Sequence, residues 1–178
     1  KNINKREISK HEGIGSIEGV ANEKAELIEN MAGNGILVTN ADDDWCNRIA
    51  NRFNGRVISF GFNKSAEIKA SNVKRNDSGF VFTVNDSFTV NLSVLGKHNV
   101  YNAMAVIAIC KAVGISIENI CDKFIDFKLP PMRMEKQVCG DIVVINDGYN
   151  SNPSSMSAAL EELSQLTAPG RKVLVCGD

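Results

Sequence analysis

Between residues 35 and 61 an apolar segment, a short helical segment and a second apolar segment follow one another, and this order limits the fold most. GILVTN (35–40) has the composition of a buried strand, and RVISFG (56–61) has the same character. Between them, the acidic run 42–44 can open a helix that continues to about Phe53. Strand, helix and strand in this order are typical of an open parallel sheet, so the sequence predicts an α/β fold.

The other elements have limits set by cap residues, turn residues and prolines. They are predicted as helices over 16–31, 98–114, 116–127 and 152–166, strands over 142–147 and 171–178, and an antiparallel meander over 66–95. Ser16 and Ser116 are the expected N-caps of two of these helices. Pro130 and Pro131 stop helix formation, which places a domain boundary near 128–140.

Charge and composition favour a small molecule as the partner. The 20 Lys and Arg residues nearly balance the 21 Asp and Glu residues, and no block of like charge suggests nucleic acid or a membrane surface. No apolar run reaches ~18 residues, and KNINKREISKHEG at the start lacks the apolar stretch of a signal peptide. The five cysteines are odd in number and have no CxxC spacing, so we expect reduced thiols in a cytoplasmic protein. We also expect the protein to be a monomer.

Two segments carry polar residues where a ligand could meet them. GKHNVYNAMA (96–105) places a glycine turn before a helix, with Asn99 and Asn102 on one helix face. Their amides offer a donor and an acceptor together, as an adenine edge requires, but caps or solvated residues would look the same. VVINDGYNSNPSSMSAAL (143–160) ends a strand with Asp147, where ligands of open α/β sheets bind, although an ordinary helix-capping loop has this composition too.

Together with PPMRME (130–135) between them, these segments resemble the Mur ligase family. The family has GxHNxxNAxAA, then a GR-type turn, then a strand ending in (N/D)D, followed by SYNANPxSMxAAL in its D-alanyl-D-alanine-adding members. Here GKHNVYNAMA, PMRME and NDGYNSNPSSMSAAL occur in the same order. GSIEGVANEKAELIENM (15–31) is similar to the family helix with a carbamylated lysine, and NGILVTNADDD (34–44) to the strand and turn after it.

The resemblance implies a fold. Residues 1–135 would be the C-terminal part of a central ATP-binding domain without its phosphate-loop half, with a mostly parallel sheet, helices and a small antiparallel meander. Residues 136–178 would be the first βαβ unit of a Rossmann-like C-terminal domain. Because a parallel sheet of two strands is incomplete, that domain is expected to continue beyond Asp178.

The resemblance also implies an ATP-dependent, Mg²⁺-requiring ligase of peptidoglycan precursor synthesis. ATP would phosphorylate the carboxylate of a UDP-linked muramyl peptide, and the amine of an amino acid or dipeptide would attack the acyl phosphate. The positions that would contact ATP are His98, Asn99, Asn102, Arg133 and Asp147. The positions that would meet the amine substrate are Tyr149, Asn150 and Asn152, and the first two favour the dipeptide-adding branch.

Two further positions would serve the metal. Lys24 matches the carbamylated lysine, whose carbamate would be an oxygen ligand for Mg²⁺, and the resemblance makes it catalytic together with Arg133. His11 would be a metal-ligating histidine, although three residues separate it from Gly15 where the family usually has four.

Three departures leave alternatives open. Met132 stands where the family has Gly, and Gly148 where it has Ser. No GxxxxGK[ST] occurs, so the phosphate loop is expected upstream and the chain alone is expected to be inactive. The open alternatives are a related ligase with another substrate, of folate-polyglutamate or archaeal cell-wall type, and a non-catalytic Mur-like module that binds a nucleotide.

Overall fold

The computed structural model describes residues 16–177, which begin with two capped helices. Helix α1 (Ile17–Glu29) starts after Ser16, whose hydroxyl accepts a hydrogen bond from the N–H of Gly19 at 3.0 Å. Helix α2 (Asp44–Ala50) starts after Asp43, whose carboxylate accepts the N–H of Cys46 at 2.8 Å. The predicted cap at Ser16 and the predicted helix in the acidic run are both confirmed, because each side chain satisfies an N–H of the first turn.

Five strands form one mixed sheet in chain order. They are β1 (Ile36–Asn40), β2 (Arg56–Gly61), β3 (Ile68–Arg75), β4 (Phe80–Val84) and β5 (Phe88–Leu92). β1 and β2 run parallel over their length, whereas β3, β4 and β5 are antiparallel. The predicted βαβ unit and the predicted meander are therefore parts of one sheet, and the α/β fold is confirmed.

The junction between the two halves of the sheet lies at the carboxyl end of β2. Parallel neighbours normally need a crossover of about a dozen residues, yet residues 62–67 alone connect β2 to β3. This is possible because the two strands pair only at Phe60 with Ile68 and at Gly61 with Lys69. β3 therefore continues past the end of β2, and the meander lies at the sheet edge where a parallel sheet binds ligands.

Helices cover both faces of the parallel half. Ile36 and Val38 of β1 pack into the larger apolar cluster, which includes helix α3 (His98–Ala112), while Leu37 packs into the smaller cluster with α1. This alternation follows from the two-residue period of a strand. Ile58, Phe82 and other apolar side chains of the larger cluster are almost inaccessible to solvent, so this part of the chain has a complete core.

The segment after α3 differs from its prediction in one respect. Helix α4 covers only Ile117–Cys121 and continues as a 3₁₀-helix over Asp122–Asp126, whereas one α-helix was predicted over 116–127. Ser116 occupies the N-cap position, but its hydroxyl makes no cap hydrogen bond. Tightening to 3₁₀ geometry is common where a helix ends.

The C-terminal part contains a hairpin and a helix. β6 (Glu135–Cys139) and β7 (Ile142–Asn146) pair antiparallel across Gly140, whose φ of 60° suits glycine. Helix α5 (Pro153–Gln165) follows, with Asn152 and Ser155 forming a capping box and Pro153 in its first turn. The strand and the helix predicted after residue 140 are confirmed, but β6 lies in the segment that was expected to be an irregular boundary.

The strand predicted over 171–178 is not present in residues 171–177, which form no helix or strand. A strand exists only through hydrogen bonds to a neighbour, and within residues 16–177 β7 pairs with β6 alone. A Rossmann-like unit over 136–178 therefore stays a prediction. Of the helices in residues 16–177, none has the length and apolar character needed to cross a bilayer.

Candidate functional site

The turn that precedes α3 is the centre of the site. Gly96 has φ +87°, which favours glycine, and a Cβ there would lie 2.5 Å from Cε1 of His98, so a larger residue would also displace the imidazole. Desolvation by the surrounding protein lowers the pKa of His98, and the carboxylates of Asp147 and Glu162 act on it in the opposite direction. His98 thus stands close to two acids of the C-terminal part.

The two asparagines of α3 have different surroundings. Asn99 is buried with 4% of its surface exposed; its amide N–H donates to the carbonyl of Leu95 at 2.7 Å. The oxygen of Asn99 accepts a hydrogen bond from the amide of Asn102 at 2.9 Å, and Asn102 is exposed. This bond uses one N–H of Asn102, whose amide also has a second N–H and an oxygen to offer. Asn99 therefore fixes the orientation of the Asn102 amide, and the remaining polar groups of that amide face solvent.

The segment around Arg133 is bound to the loop after β7 by two backbone hydrogen bonds. The N–H of Met134 donates to the carboxylate of Asp147 at 3.0 Å, and the N–H of Tyr149 donates to the carbonyl of Met132 at 3.1 Å. Between them, the Arg133 guanidinium lies 4.2 Å from the centre of the Tyr149 ring. Arg133, Asp147 and Tyr149, predicted from two separate motifs, therefore lie together.

The two other predicted substrate residues take different positions in this loop. The side-chain oxygen of Asn152 accepts the N–H of Ser155 at 2.8 Å, so this amide caps α5. Asn150 is exposed. Of the three positions assigned to the amine substrate, Tyr149 and Asn150 are therefore accessible. The Asn152 side chain is used to cap α5.

A second cluster, which the sequence did not indicate, joins the end of β1 to α3. The carboxylate of Asp42 accepts the N–H of Phe62 at 2.6 Å, the N–H of Asn63 at 2.8 Å and the hydroxyl of Tyr101 at 3.0 Å. Burial, and then the bond to Asp42, raise the pKa of Tyr101 to about 12. The Tyr101 ring meets Phe62 edge-on, with centroids 4.8 Å apart.

A cleft of about 390 Å³ separates this second cluster from α5. Its lining combines aromatic rings with charged and polar side chains, and the residues are Phe62, Phe80, Lys97, His98, Tyr101, Ala158, Glu161, Glu162 and Gln165. The Lys97 ammonium lies 5.8 Å from the Phe62 ring centre. The cleft therefore borders the turn that carries His98 and could hold a planar, partly apolar group beside a cation.

The predicted metal residues do not form a site by themselves. Lys24 lies in the middle of α1 and is partly buried, while His11 is outside the described residues. Among residues 16–177, no group of three His, Cys, Asp or Glu side chains could hold a metal ion. An unmodified lysine offers no oxygen, so a Mg²⁺ site at Lys24 depends on the predicted carbamate and stays a prediction.

Comparisons with known proteins show the family to which the chain belongs. The family model described as "Mur ligase middle domain" matches residues 8–110, more than half of the chain. The chain is 32% identical to the UDP-N-acetylmuramoyl-tripeptide--D-alanyl-D-alanine ligase of Bacillus subtilis, over 93% of this chain and 36% of that protein. It is 37% identical to the UDP-N-acetylmuramate--L-alanine ligase of Sulfurihydrogenibium, over 71% of this chain and 28% of that protein.

Solved structures share the fold. MurF from Acinetobacter baumannii superposes with a TM-score of 0.83 at 25% identity, covering 93% of this chain and 36% of that one. MurF ligase from Thermotoga maritima, solved in complex with ADP, gives a TM-score of 0.76 at 21% identity, covering 87% and 36%. The chain thus spans roughly a third of the length of these relatives. Because the family model covers the sheet and the helix that carries Asn99 and Asn102, the chain belongs to the Mur ligase family.

Proposed function

We propose that this chain is part of an ATP-dependent ligase that joins a UDP-N-acetylmuramoyl-peptide carboxylate to an amino acid or to D-alanyl-D-alanine. The amide bond forms through an acyl phosphate, in the synthesis of peptidoglycan precursors. The observation that carries the proposal is the meeting of three motifs. Asp147 accepts the N–H of Met134 next to Arg133, and Glu162, in the helix after the Asp147 loop, accepts the N–H of Gly96 in the turn before Asn99 and Asn102. Motifs separated in sequence converge in this way when they share a ligand.

In this proposal the exposed amide of Asn102 reads the adenine edge. An amide can donate to a ring nitrogen and accept from the exocyclic amino group at the same time. Asn99 keeps this amide in place, because its side chain donates to the carbonyl of Leu95 and accepts from Asn102. The ADP bound by the related Thermotoga maritima ligase supports a nucleotide as the ligand.

In this proposal Arg133 and Asp147 contact the sugar and phosphate groups of the nucleotide. A carboxylate at the end of a strand can accept hydrogen bonds from a ribose, and a guanidinium can bind phosphate oxygens. When bound, ATP supplies the phosphoryl group that activates the carboxylate. The stacking of Arg133 on Tyr149 limits the orientations of the cation before the nucleotide arrives, which reduces the entropy lost on binding.

The amine substrate is the finer part of the proposal. The accessible pair Tyr149 and Asn150 follows the pattern of the D-alanyl-D-alanine-adding branch, and the Bacillus subtilis relative carries that name. The Sulfurihydrogenibium relative is named for L-alanine addition, but its match covers 71% of this chain. We therefore propose D-alanyl-D-alanine as the amine.

The experiment is calorimetric titration of ATP into the full-length protein with Asn102→Ala. Removing a hydrogen-bonding partner of adenine should weaken binding by roughly 1–3 kcal/mol. Asn91→Ala, which removes an exposed asparagine from β5, is the matched control and should leave the affinity unchanged. Equal affinity in both variants would show that Asn102 does not contact the base.

A second measurement addresses the reaction. The full-length protein should release phosphate from ATP only when the UDP-muramyl peptide and the amine are both present. D-alanyl-D-alanine should support this release better than L-alanine. Tight ATP binding without any ligation would instead favour the non-catalytic module.

A further inference from the structure

A buried carboxylate on α5 joins two distant parts of the chain. Glu162 has 4% of its surface exposed, and one oxygen accepts the Nε–H of Arg75 at 3.2 Å and also pairs with the terminal guanidinium nitrogen. The other oxygen accepts the N–H of Gly96 at 3.2 Å. Arg75 also donates to the carbonyl of Gln165 at 3.3 Å. Glu162 thus binds the end of β3 and the turn before α3 together.

Stability alone is a weak reason for a charge at this position. Removing a carboxylate from water is costly, and apolar residues of similar volume can often replace a buried ion pair without loss of stability. What an ion pair with three directed hydrogen bonds provides is a fixed geometry. The arrangement therefore points to a requirement for the position of α5.

Glu162 is the most deeply buried contact that α5 makes with the rest of the chain. Glu162 is the buried residue of the helix, and its other residues are exposed or partly exposed. On one side, its bond to Gly96 reaches the turn that leads into His98 and Asn102. On the other side, α5 begins at Pro153, after the N-cap Asn152, and so follows the loop of Asp147 and Tyr149. Glu162 thus connects the helix that follows one half of the proposed nucleotide site to the turn that begins the other half.

We propose that Glu162, acting with Arg75, is a positioning residue for ATP binding, an inference that rests on the proposed function above. It does not touch the nucleotide. It keeps the loop of Asp147 at the correct distance from Asn102, so that adenine and ribose can be bound at the same time. A shift of about an ångström at a binding group can cost a large part of its effect.

Steady-state kinetics of the full-length protein with Glu162→Gln test this proposal. Glutamine keeps the size and can still accept from Gly96, but it removes the charge opposite Arg75. We expect KM for ATP to rise about tenfold or more, with kcat changed by much less than KM, because a positioning defect acts on binding. Arg75→Lys keeps the positive charge with fewer hydrogen bonds, so it should raise KM in the same direction by a smaller factor.

Asp86→Asn is the matched control. The Asp86 carboxylate lies 2.6 Å from the ammonium group of Lys69, which belongs to β3 as Arg75 does, but the Asp86 side chain is 62% exposed. This variant should keep the KM of the unmodified protein. An unchanged KM for ATP in a folded Glu162→Gln variant would overturn the proposal, whether or not the melting temperature of that variant is lower. If Glu162→Gln does not fold, an unchanged KM in Arg75→Lys would overturn it.

The outcome for Glu162 is separate from the outcome for the proposed function. If the unmodified protein shows no ATP-dependent ligation and binds no ATP, the proposed function fails before any variant is compared. If the unmodified protein ligates and Asn102→Ala weakens ATP binding while Glu162→Gln does not raise KM, only the positioning role fails.

Discussion

The first region of the molecule (residues 16–126) and the second region (residues 127–177) differ in how their apolar side chains are packed. In the first region Phe82 is 1% exposed and lies in a cluster that spans the sheet and α3. In the second region Val138 is 69% exposed and Val175 is 90% exposed. Within residues 127–177 only Met134 and Glu162 are buried.

This difference separates two ways of placing a functional residue. In the first region, the orientation of Asn102 depends on Asn99 and therefore on the core around α3. In the second region, Asp147 and Tyr149 are placed by hydrogen bonds to a backbone segment 13 to 17 residues earlier in the chain. Substitutions of the buried apolar side chains of the first region should therefore have large effects on folding, whereas substitutions of the exposed apolar side chains of the second region should have small, local effects.

The largest expected effect tests whether the first region contains a catalytic residue, Lys24. Lys24→Ala in the full-length protein should abolish ligation if Lys24 is carbamylated, because the carbamate oxygens are lost. ATP binding should survive, since Lys24 has no role in reading adenine. The measurement is ligation at saturating ATP and Mg²⁺, with ATP affinity determined in parallel.

Two further variants control this result. Lys24→Arg should remain inactive, because arginine restores charge and length but no oxygen ligand. Added short-chain carboxylates should partly restore activity to Lys24→Ala by supplying an oxygen ligand. Full activity of Lys24→Ala would reduce Lys24 to a helix residue without a catalytic role.

The packing difference itself can be measured with a pair of apolar substitutions. Phe82→Ala should lower the free energy of unfolding by about 3–5 kcal/mol, because it leaves a cavity in a closed core. Val138→Ala in β6 should change it by less than about 0.5 kcal/mol, because that side chain is mostly in solvent. Denaturant unfolding of both variants gives the comparison. Similar losses would mean that β6 and β7 are packed much better than their exposure indicates.

The sequence predicted those parts of the fold that depend on neighbouring residues in the chain. The cap at Ser16 is determined by local chemistry, and so is a turn of the predicted meander, in which Asn85 and Asp86 have φ angles of 50° and 56°. β6 was missed because EKQVC has no apolar pattern and becomes a strand only by pairing with β7. The strand predicted over 171–178 shows the converse, since an apolar segment without a neighbour forms no ladder.

The candidate site was predictable to the extent that its residues lie in motifs. Asn102, Arg133 and Asp147 were found from three short motifs. Tyr101 lies inside one of them, but its partner Asp42 is 59 positions away. Arg75 and Glu162 are 87 positions apart, and nothing in a helix sequence distinguishes a glutamate that will be buried from one in solvent. Long-range contacts of this kind have no local signal.

Tyr101 provides a pH-dependent test of the cluster in the first region. The folded-state pKa of Tyr101 is about 12, above the usual value of 10.0. The contribution of the protonated Tyr101 hydroxyl to the free energy of unfolding is therefore complete below about pH 10 and is lost as pH rises toward 12. Tyr101→Phe should cost about 1–2 kcal/mol near pH 8 through the lost bond to Asp42. Between about pH 10 and 12, its free energy of unfolding should fall less than that of the unmodified protein. Parallel pH profiles from urea unfolding would exclude this contribution.

The smallest expected effect concerns Met132, in the second region. Its φ of 61° lies in the left-handed region, which explains why the family has glycine where this chain has methionine. Met132→Gly removes a strain of roughly 1–2 kcal/mol and adds chain entropy to the unfolded state worth about 0.5–1 kcal/mol. We therefore expect a net gain in unfolding free energy of no more than about 1.5 kcal/mol, measured by denaturant unfolding.

Met134→Gly is the matched control, and it relates this last prediction to packing. Met134 has almost the same backbone, with φ 51°, and lies on the other side of Arg133, but it is 6% exposed whereas Met132 is 41% exposed. The relief of strain should be similar, but burial adds a loss of about 2–5 kcal/mol for the missing side chain. The two substitutions should therefore have opposite signs. If both substitutions destabilise the protein equally, the Met132 side chain is packed more closely than its exposure indicates. The stability of the second region would then depend on side-chain packing more than its exposed apolar residues suggest.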